Sequence, residues 1–281
     1  MYLIKRKEVL NPSVVLMEIE APYIAKKVQP GQFVIYRVDE QGERVPLTVN
    51  DCDREAGTIT LIFQLVGRST LKLAALNEGD SILDVVGPLG VPTEIPEGAK
   101  RICVIGGGVG CAIAYPQAKK YFAEGLEVDV IAGFRSKDIV ILEDAFKAHS
   151  TRLTVCTDDG SYGRKGFVTD ALREQIEAGA KYDCVIAIGP VPMMKFVSKV
   201  TEPYGIKTIV SLNPIMIDGT GMCGGCRVTV GGKTRYACVE GPDFDGHEVD
   251  YDELMRRSGV FREREADCRM MTLAEQKRGD A

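Results

Sequence analysis

Three cysteines and one aspartate are spaced as the ligands of a metal centre would be. Two glycines separate Cys223 from Cys226, Cys238 follows twelve residues later, and Asp218 precedes Cys223 with four residues between them. Thiolates are soft ligands that suit zinc and iron, and a tetrahedral site needs a fourth ligand. The segment therefore predicts a metal centre in which Asp218 completes the ligand set.

The spacing favours an iron–sulfur cluster over a single zinc ion. The order D-x4-C-x2-C-x11-C matches the start of the C-x4-C-x2-C run of plant-type [2Fe–2S] clusters, with Asp218 in place of the first cysteine. A zinc site with a non-cysteine fourth ligand and a turn with free thiols are the alternatives. Asp218 could also simply accept hydrogen bonds from the main chain of its glycine-rich turn.

A glycine run offers a second kind of site. The stretch VIGGGVGCA, with Gly107, Gly108 and Gly110, joins a buried apolar run to a predicted helix. Free N–H groups at a helix start bind phosphate, and glycine lets the backbone approach the ligand closely. The run predicts a dinucleotide pyrophosphate site, although Cys111 breaks the strict G-x-G-x-x-G/A pattern. A tight turn without a ligand is the alternative.

Loops after other predicted strands extend this site. Ligands of open α/β sheets bind outside the carboxyl ends of the strands. Arg135 and Lys137 could bind a 2′-phosphate and Asp138 a free ribose, so these residues alone leave NAD and NADP open. The candidate nucleotide contacts at these strand ends are Arg135, Asp159, Gly160, Gly189, Pro190 and Met193.

Two runs nearer the start of the chain offer further phosphate-binding groups. The Arg44 guanidinium in ERVPLTVND could pair with a phosphate, and the Thr48 hydroxyl could bind a ring or a ribose. In LVGRST, Gly67, Ser69 and Thr70 offer N–H and hydroxyl donors. A solvated arginine and an ordinary turn are equally consistent with the composition.

The periodicity of the sequence predicts the elements that hold these residues. A chain of 281 residues suggests about two domains. Short β-branched runs predict an antiparallel β-barrel over residues 1–97. Alternating strands and helices predict a parallel, Rossmann-like α/β domain over residues 98–213. Residues 214–281 form a small Gly- and Cys-rich module with a charged tail.

Composition narrows the class of protein. The net charge of −5 argues against a broad nucleic-acid surface. The first residues lack the apolar core of a secretory signal, and the longest apolar run is too short to span a bilayer. We therefore expect a soluble, cytoplasmic protein whose nine cysteines are reduced thiols or metal ligands.

Along nearly its whole length the sequence resembles the ferredoxin-reductase-like electron-transfer subunits. That family includes those of class 1B dihydroorotate dehydrogenase and of electron-bifurcating NADH-dependent ferredoxin:NADP+ oxidoreductases. The resemblance implies NAD(H) at the GGGVG loop and a [2Fe–2S] cluster on the Asp218 and cysteine module. It also implies FAD bound by RVPLT and GRST, with the flavin contacts Arg44, Pro46, Leu47, Thr48, Phe63, Gly67, Ser69 and Thr70.

The resemblance also implies a reaction and a partner. Nicotinamide transfers two electrons as hydride and an iron–sulfur cluster one, and a flavin can do both. We expect a heterodimer with a larger subunit that carries its own flavin and [4Fe–4S] clusters, where ferredoxin and NADP(H) react. Asp218 in the first ligand position departs from the four cysteines of the dihydroorotate type and suits the bifurcating type.

Other functions are compatible with parts of the sequence. A non-catalytic electron-wire subunit and a zinc-stabilised NAD-binding regulator are rival hypotheses. No residue is assigned a catalytic role, because none of the motifs identifies a group that must act on the substrate.

Overall fold

Residues 1–279 are described by a computed structural model, in which the first ninety residues form one antiparallel sheet. Its seven strands are arranged in the order β6-β1-β2-β5-β4-β3-β7. Two short helices, α1 (Pro22–Ala25) and α2 (Arg68–Ala75), connect them. The strands are β1 (Tyr2–Asn11), β2 (Val14–Glu20), β3 (Phe33–Arg37), β4 (Val45–Asp53), β5 (Thr58–Gln64), β6 (Ser81–Ile82) and β7 (Asp84–Leu89).

The sheet curls into a nearly closed barrel. Only Leu83 separates β6 from β7, yet β6 pairs with β1 and β7 pairs with β3, at opposite edges of the sheet. Side chains alternate along each strand: in β5, Ile59 and Leu61 enter the barrel core, while Ile62 faces the second domain. The predicted antiparallel barrel is confirmed.

The second sheet is built from alternating strands and helices. Its order is β11-β10-β9-β8-β12-β13-β16, so the five main parallel strands follow the 3-2-1-4-5 order of doubly wound folds. Helices α3 and α4 pack on one face, and α5 and α6 pack on the other. The elements are β8 (Arg101–Gly107), α3 (Gly110–Ala123), β9 (Glu127–Phe134), α4 (Glu143–Ala148), β10 (Arg152–Thr157), β11 (Arg164–Lys165), α5 (Val168–Glu177), β12 (Cys184–Ile188), α6 (Val191–Thr201) and β13 (Lys207–Ser211).

The C-terminal module is joined to this second sheet. Its strand β16 pairs antiparallel with β13 and extends the sheet by one strand. Among residues 1–279, no helix is both long and apolar enough to cross a membrane. The elements of the module are β14 (Arg227–Val230), β15 (Lys233–Tyr236), α7 (Ala237–Glu240), β16 (Asp243–Asp245), α8 (Tyr251–Ser258) and α9 (Arg262–Gly279).

Candidate functional site

Two of the predicted thiol ligands, Cys223 and Cys226, lie on the loop before the β14–β15 hairpin, and the third, Cys238, lies in the short helix α7 that follows the hairpin. Cys226 and Cys238 are buried, with their Sγ atoms 3.2 Å apart, too far for a disulfide bond of about 2.05 Å. Burial raises the pKa of Cys238 to about 12, so this thiol is neutral until a metal ion displaces its proton.

Cys223 has a different environment, at the exposed rim of the loop. Its Sγ accepts a hydrogen bond from the Gly225 N–H at 3.4 Å. That N–H, followed by the main chain of Asp218, lowers the pKa of the Cys223 thiol. Because hydrogen bonds to the charged form favour it, the loop favours the thiolate that a metal ion would bind.

Asp218 is held within its own turn. Its carboxylate accepts hydrogen bonds from the Thr220 N–H at 2.9 Å, the Thr220 hydroxyl at 2.7 Å and the Met222 N–H at 3.1 Å. These bonds, led by the Thr220 hydroxyl, lower the pKa of the carboxyl. They are the bonds expected of a turn aspartate, and the role of Asp218 as a metal ligand stays a prediction.

The four residues fall into two pairs. Cys226 and Cys238 form a buried pair, with 3.2 Å between their Sγ atoms, and Cys223 and Asp218 lie at the other end of the loop. A zinc site gathers four ligands around one ion, whereas a [2Fe–2S] cluster distributes them over two irons. In such a cluster, Cys226 and Cys238 would hold one iron, and Cys223 and Asp218 would hold the other.

The loop rests on the outside of the barrel. A Cβ atom at Gly219, whose φ is +79°, would lie 2.3 Å from the Cδ1 atom of Ile35 on β3. Only glycine combines this backbone conformation with so close an approach. Phe33 and Ile35 also pack in one apolar cluster with Cys226 and Cys238. The candidate cluster site therefore packs directly against the outer face of β3.

The predicted flavin-binding run lies on the neighbouring strand. In the register of β3 and β4, Ile35 is opposite Pro46 and Phe33 is opposite Thr48, so these side chains share the outer face of the sheet. Leu47 packs instead against the barrel core. The structure therefore brings Pro46 and Thr48 beside the residues that carry the cluster loop.

The other predicted flavin contacts are divided between two places. Thr70 is buried, and its hydroxyl accepts hydrogen bonds from the Val66 and Gly67 N–H groups at 3.0 and 3.2 Å. Ser69 donates a hydrogen bond to Glu43. Phe63 is only 1% exposed and lies in the barrel core, whereas Arg44 is exposed at the surface. These two predicted flavin contacts therefore lie in different places.

The predicted nucleotide loops meet where the strand order of the second sheet reverses. A Cβ atom at Gly110 would lie 2.5 Å from the Ile188 carbonyl, and one at Gly107 would lie 2.5 Å from the Met193 Sδ atom. Gly108 has a φ of +57°, and a Cβ atom there would meet nothing within 4 Å. Gly107 and Gly110 thus permit the close contact of the β8 end with the β12 end, and Gly108 leaves space for a ligand. Doubly wound α/β folds bind nucleotides at this place.

The remaining nucleotide candidates lie further along the same edge. The Asp159 N–H donates to the Arg135 carbonyl at 3.2 Å, which joins the loops after β9 and β10. The Ser161 hydroxyl and N–H lower the pKa of the Asp159 carboxyl, which lies in an exposed loop with Gly160. The structure therefore places Arg135, Asp159 and Gly160 together, one strand or more away from Gly107.

Two residues that the motifs missed hold the nucleotide domain to the barrel. Asn50 on β4 donates a buried hydrogen bond of 2.6 Å to the Ala112 carbonyl at the start of α3. Asp51 pairs with Lys119 of the same helix at 2.6 Å. The polar pair Asn50-Asp51 at the end of an apolar strand was the available signal, since buried polar groups need partners.

Comparisons with known proteins support the iron–sulfur segment and the family of the chain. Residues 213–250, which include Asp218 and the three cysteines, match the iron–sulfur cluster binding domain of dihydroorotate dehydrogenase B. A homolog of the dihydroorotate dehydrogenase B (NAD+) electron transfer subunit from Thermotoga maritima is 49% identical over 247 residues, covering 88% of this chain and 86% of that protein. The electron transfer subunit from Fusobacterium nucleatum is 34% identical, covering 83% of this chain and 92% of its own.

A solved structure extends the likeness to the fold. A chain in the structure of the NADH-dependent reduced ferredoxin–NADP oxidoreductase, a study of flavin-based electron bifurcation, superimposes with a TM-score of 0.91. It is 43% identical, and the match covers 97% of this chain and 98% of that one. The resemblance and the fold class predicted from the sequence are confirmed. The chain belongs to the family of the dihydroorotate dehydrogenase B electron-transfer subunits and their homologues.

Proposed function

We propose that this protein is an oxidoreductase subunit that transfers electrons from NADH, through FAD and a [2Fe–2S] cluster, to a larger partner subunit. The observation that carries the proposal is the position of β4. The candidate flavin residues Pro46 and Thr48 lie on it, Asn50 and Asp51 fasten the nucleotide domain to it, and its neighbour β3 supports the cluster loop.

This arrangement keeps the candidate sites within electron-transfer reach. Adjacent strands lie about 4.8 Å apart, and β4 pairs directly with β3, so a flavin on the outer face of β4 would lie one strand away from the strand that supports the cluster loop. When bound, FAD would exchange hydride with nicotinamide and single electrons with the cluster. The protein's own part is to hold the flavin and the cluster side by side on the barrel, with the nucleotide domain fastened to β4.

Each group of residues has a distinct binding role. The N–H groups of Gly108 and its neighbours would bind the pyrophosphate of NAD(H), as a helix start does. The exposed Arg44 guanidinium would pair with a flavin phosphate. The Cys223, Cys226 and Cys238 thiolates, with the Asp218 carboxylate, would hold iron.

We infer that the partner docks at the rim of the cluster loop. Three apolar residues beside the predicted ligands are exposed to solvent: Ile217 precedes Asp218, Met222 precedes Cys223 and Val239 follows Cys238. Their exposed fractions are 58%, 86% and 43%. Exposed apolar groups of this kind are typical of interaction surfaces. The six other cysteines are spread over the chain, so any [4Fe–4S] cluster belongs on the partner.

The partner distinguishes two versions of this function. The Asp218 ligand position and the likeness to the bifurcating oxidoreductase favour a large subunit that carries flavin and [4Fe–4S] clusters and reacts with ferredoxin and NADP(H). The match of residues 213–250 favours a dihydroorotate-oxidising subunit. Co-purification of the chain with its native partner, followed by assay for NADP(H)-linked ferredoxin reduction and dihydroorotate oxidation, decides between them.

The isolated chain tests the shared function. Purified without oxygen, it should contain FAD and two irons per chain, and NADH should bleach both chromophores. Cys238→Ser should lose the iron and keep NADH bleaching of the flavin, whereas Cys268→Ser, an exposed thiol outside the site, should keep both. A colourless, zinc-containing protein or one that does not respond to NADH would contradict the proposal.

A further inference from the structure

Two arginine side chains bind the main chain between Cys223 and Cys226. Arg227 donates from Nη1 to the Gly224 carbonyl at 3.2 Å. Arg257 donates from Nη2 to the Gly225 carbonyl at 3.1 Å, across 32 residues of sequence. Arg227 adjoins the loop, but Arg257 comes from the last turn of α8, beyond the residues that match the iron–sulfur domain family.

These contacts orient two successive peptide groups, one of which donates its N–H to a cysteine sulfur atom. The C=O and N–H of one peptide group point in opposite directions. In the peptide between Gly224 and Gly225, the carbonyl accepts from Arg227 and the N–H donates to Cys223 Sγ at 3.4 Å. Arg257 binds the carbonyl of the next peptide, so the N–H of Cys226 points away from the guanidinium. A cation on a carbonyl polarises the peptide and strengthens the hydrogen bond that its N–H donates.

Arg257 is better placed than Arg227 to act on the cluster through its charge. Its contact with Gly225 is partly buried, whereas that of Arg227 is exposed, and solvent screens exposed charges more strongly. No acidic side chain of the described residues forms an ion pair with Arg257, so its charge is not neutralised locally.

Helix α8 holds Arg257 in place. Tyr251 and Leu254 bury one face of the helix, the Asp250 carboxylate accepts the Glu253 N–H at its start, and Lys195 of α6 pairs with Asp252. The guanidinium is therefore presented to the cluster loop by a helix anchored on the nucleotide domain.

We propose that Arg257 is a positioning residue for the iron–sulfur cluster: it fixes the turn between Cys223 and Cys226 and raises the reduction potential of the cluster. The proposal rests on the proposed function, because it requires the cluster to be present. Reduction adds a negative charge to the cluster, and its potential depends on net charge and on hydrogen bonds to sulfur. A nearby cation and polarised N–H donors both stabilise the reduced form.

The test is an EPR-monitored redox titration of the complete purified protein. In Arg257→Gln, which removes the charge, reduction of the cluster should become at least tenfold less favourable, a shift of about 59 mV to lower potential for one electron. Arg227→Gln should shift it less, because that arginine is exposed. Arg256→Gln is the matched control, since it removes the same charge from the same helix at an exposed position without a contact to the loop, and it should leave the potential unchanged.

The outcomes separate this proposal from the proposed function. A potential in Arg257→Gln equal to that of Arg256→Gln would overturn it. Loss of iron in Arg257→Gln alone would support the positioning role, and the potential is then measured in Arg257→Lys. That variant keeps the positive charge and should restore the iron with a potential close to that of the parent protein; an iron-containing Arg257→Lys protein that titrates far below the parent would also overturn the proposal. A parent protein without iron, recognised by metal analysis before any titration, refutes the cluster itself.

Discussion

Replacing Asp243 by asparagine should stabilise the protein at neutral pH. Asp243 lies on β16. Its carboxyl accepts a hydrogen bond from the hydroxyl of Thr93, a residue of the segment that connects the barrel to the nucleotide domain. Its Oδ1 atom is buried without a partner in the described structure. Burial raises the pKa of this carboxyl to about 6, and the hydrogen bond from the Thr93 hydroxyl offsets only part of that effect.

The size of the effect follows from the two pKa values. The pKa rises from 3.8 in the unfolded chain to about 6 in the folded protein, and each unit corresponds to about 1.36 kcal/mol. Between those values the folded state binds more protons than the unfolded state, so the free energy of unfolding falls as pH rises. Above pH 6 the ionised carboxylate should therefore cost about 3 kcal/mol, and Asp243→Asn, which resembles the protonated acid, should remove that cost.

Urea unfolding of parent and variant, matched in cofactor content, measures the difference. The two proteins should be about equally stable near pH 4 and should diverge towards pH 7, where the variant is more stable. Asp245→Asn is the control on the same strand: burial alone would raise the pKa of Asp245, but the Lys207 hydrogen bond and the His247 N–H lower it. That substitution should destabilise the protein at neutral pH. Parallel pH profiles for Asp243→Asn and the parent would refute the reasoning.

Three further predictions concern the cofactor sites. Asp218→Cys should keep two irons per chain and change the EPR spectrum and potential of the cluster; an unchanged spectrum and potential would leave Asp218 only its role in the turn. Arg44→Ala should weaken FAD retention during dialysis, because a charge-assisted contact of roughly 1.5–3 kcal/mol is lost, and full occupancy would exclude Arg44 from the site. Gly108→Val should stop NADH, but not dithionite, from bleaching the flavin, since a side chain would enter open space at a φ of +57°; normal bleaching at low NADH would place the nucleotide elsewhere.

The local sequence pattern predicts most strands and helices, but it cannot tell a helix from an extended segment in a short apolar run. The residues of the run IVILEDAFKAH favour one continuous helix, but α4 spans only Glu143–Ala148. Leu142 adopts a φ of 58° immediately before it. The apolar residues upstream pack against the core without extending the helix, which shows that burial and helical conformation are separate consequences of an apolar run.

The C-terminal module shows what only long-range pairing can decide. Nothing in residues 243–245 indicates that they pair with β13, because strand pairing depends on contacts distant in sequence. Helix α8 was detectable: Asp250 followed by Glu253 is a helix-start signal, and the Asp250 carboxylate does accept the Glu253 N–H. Arg257 could not be linked to the cluster loop without that helix and its packing.

For the flavin run, the alternation of Pro46 and Thr48 places them on one side of a strand. That this side is also the one on which the cluster loop packs follows only from the register of Ile35 with Pro46. Sequence motifs therefore predict the separate sites, whereas the distance between them depends on a strand pairing that no motif records.

The two roles considered for Asp218 are compatible. The hydrogen bonds that the Asp218 carboxylate accepts, two from N–H groups and one from the Thr220 hydroxyl, fix its orientation, and carboxylates that bind metal ions are themselves commonly hydrogen-bonded. The same bonds lower the pKa of the carboxyl and keep it ionised, as a metal ligand must be. A turn that fixes the Asp218 carboxylate beside Cys223 would therefore orient a ligand in the way that hydrogen bonds orient the ligands of other metal sites.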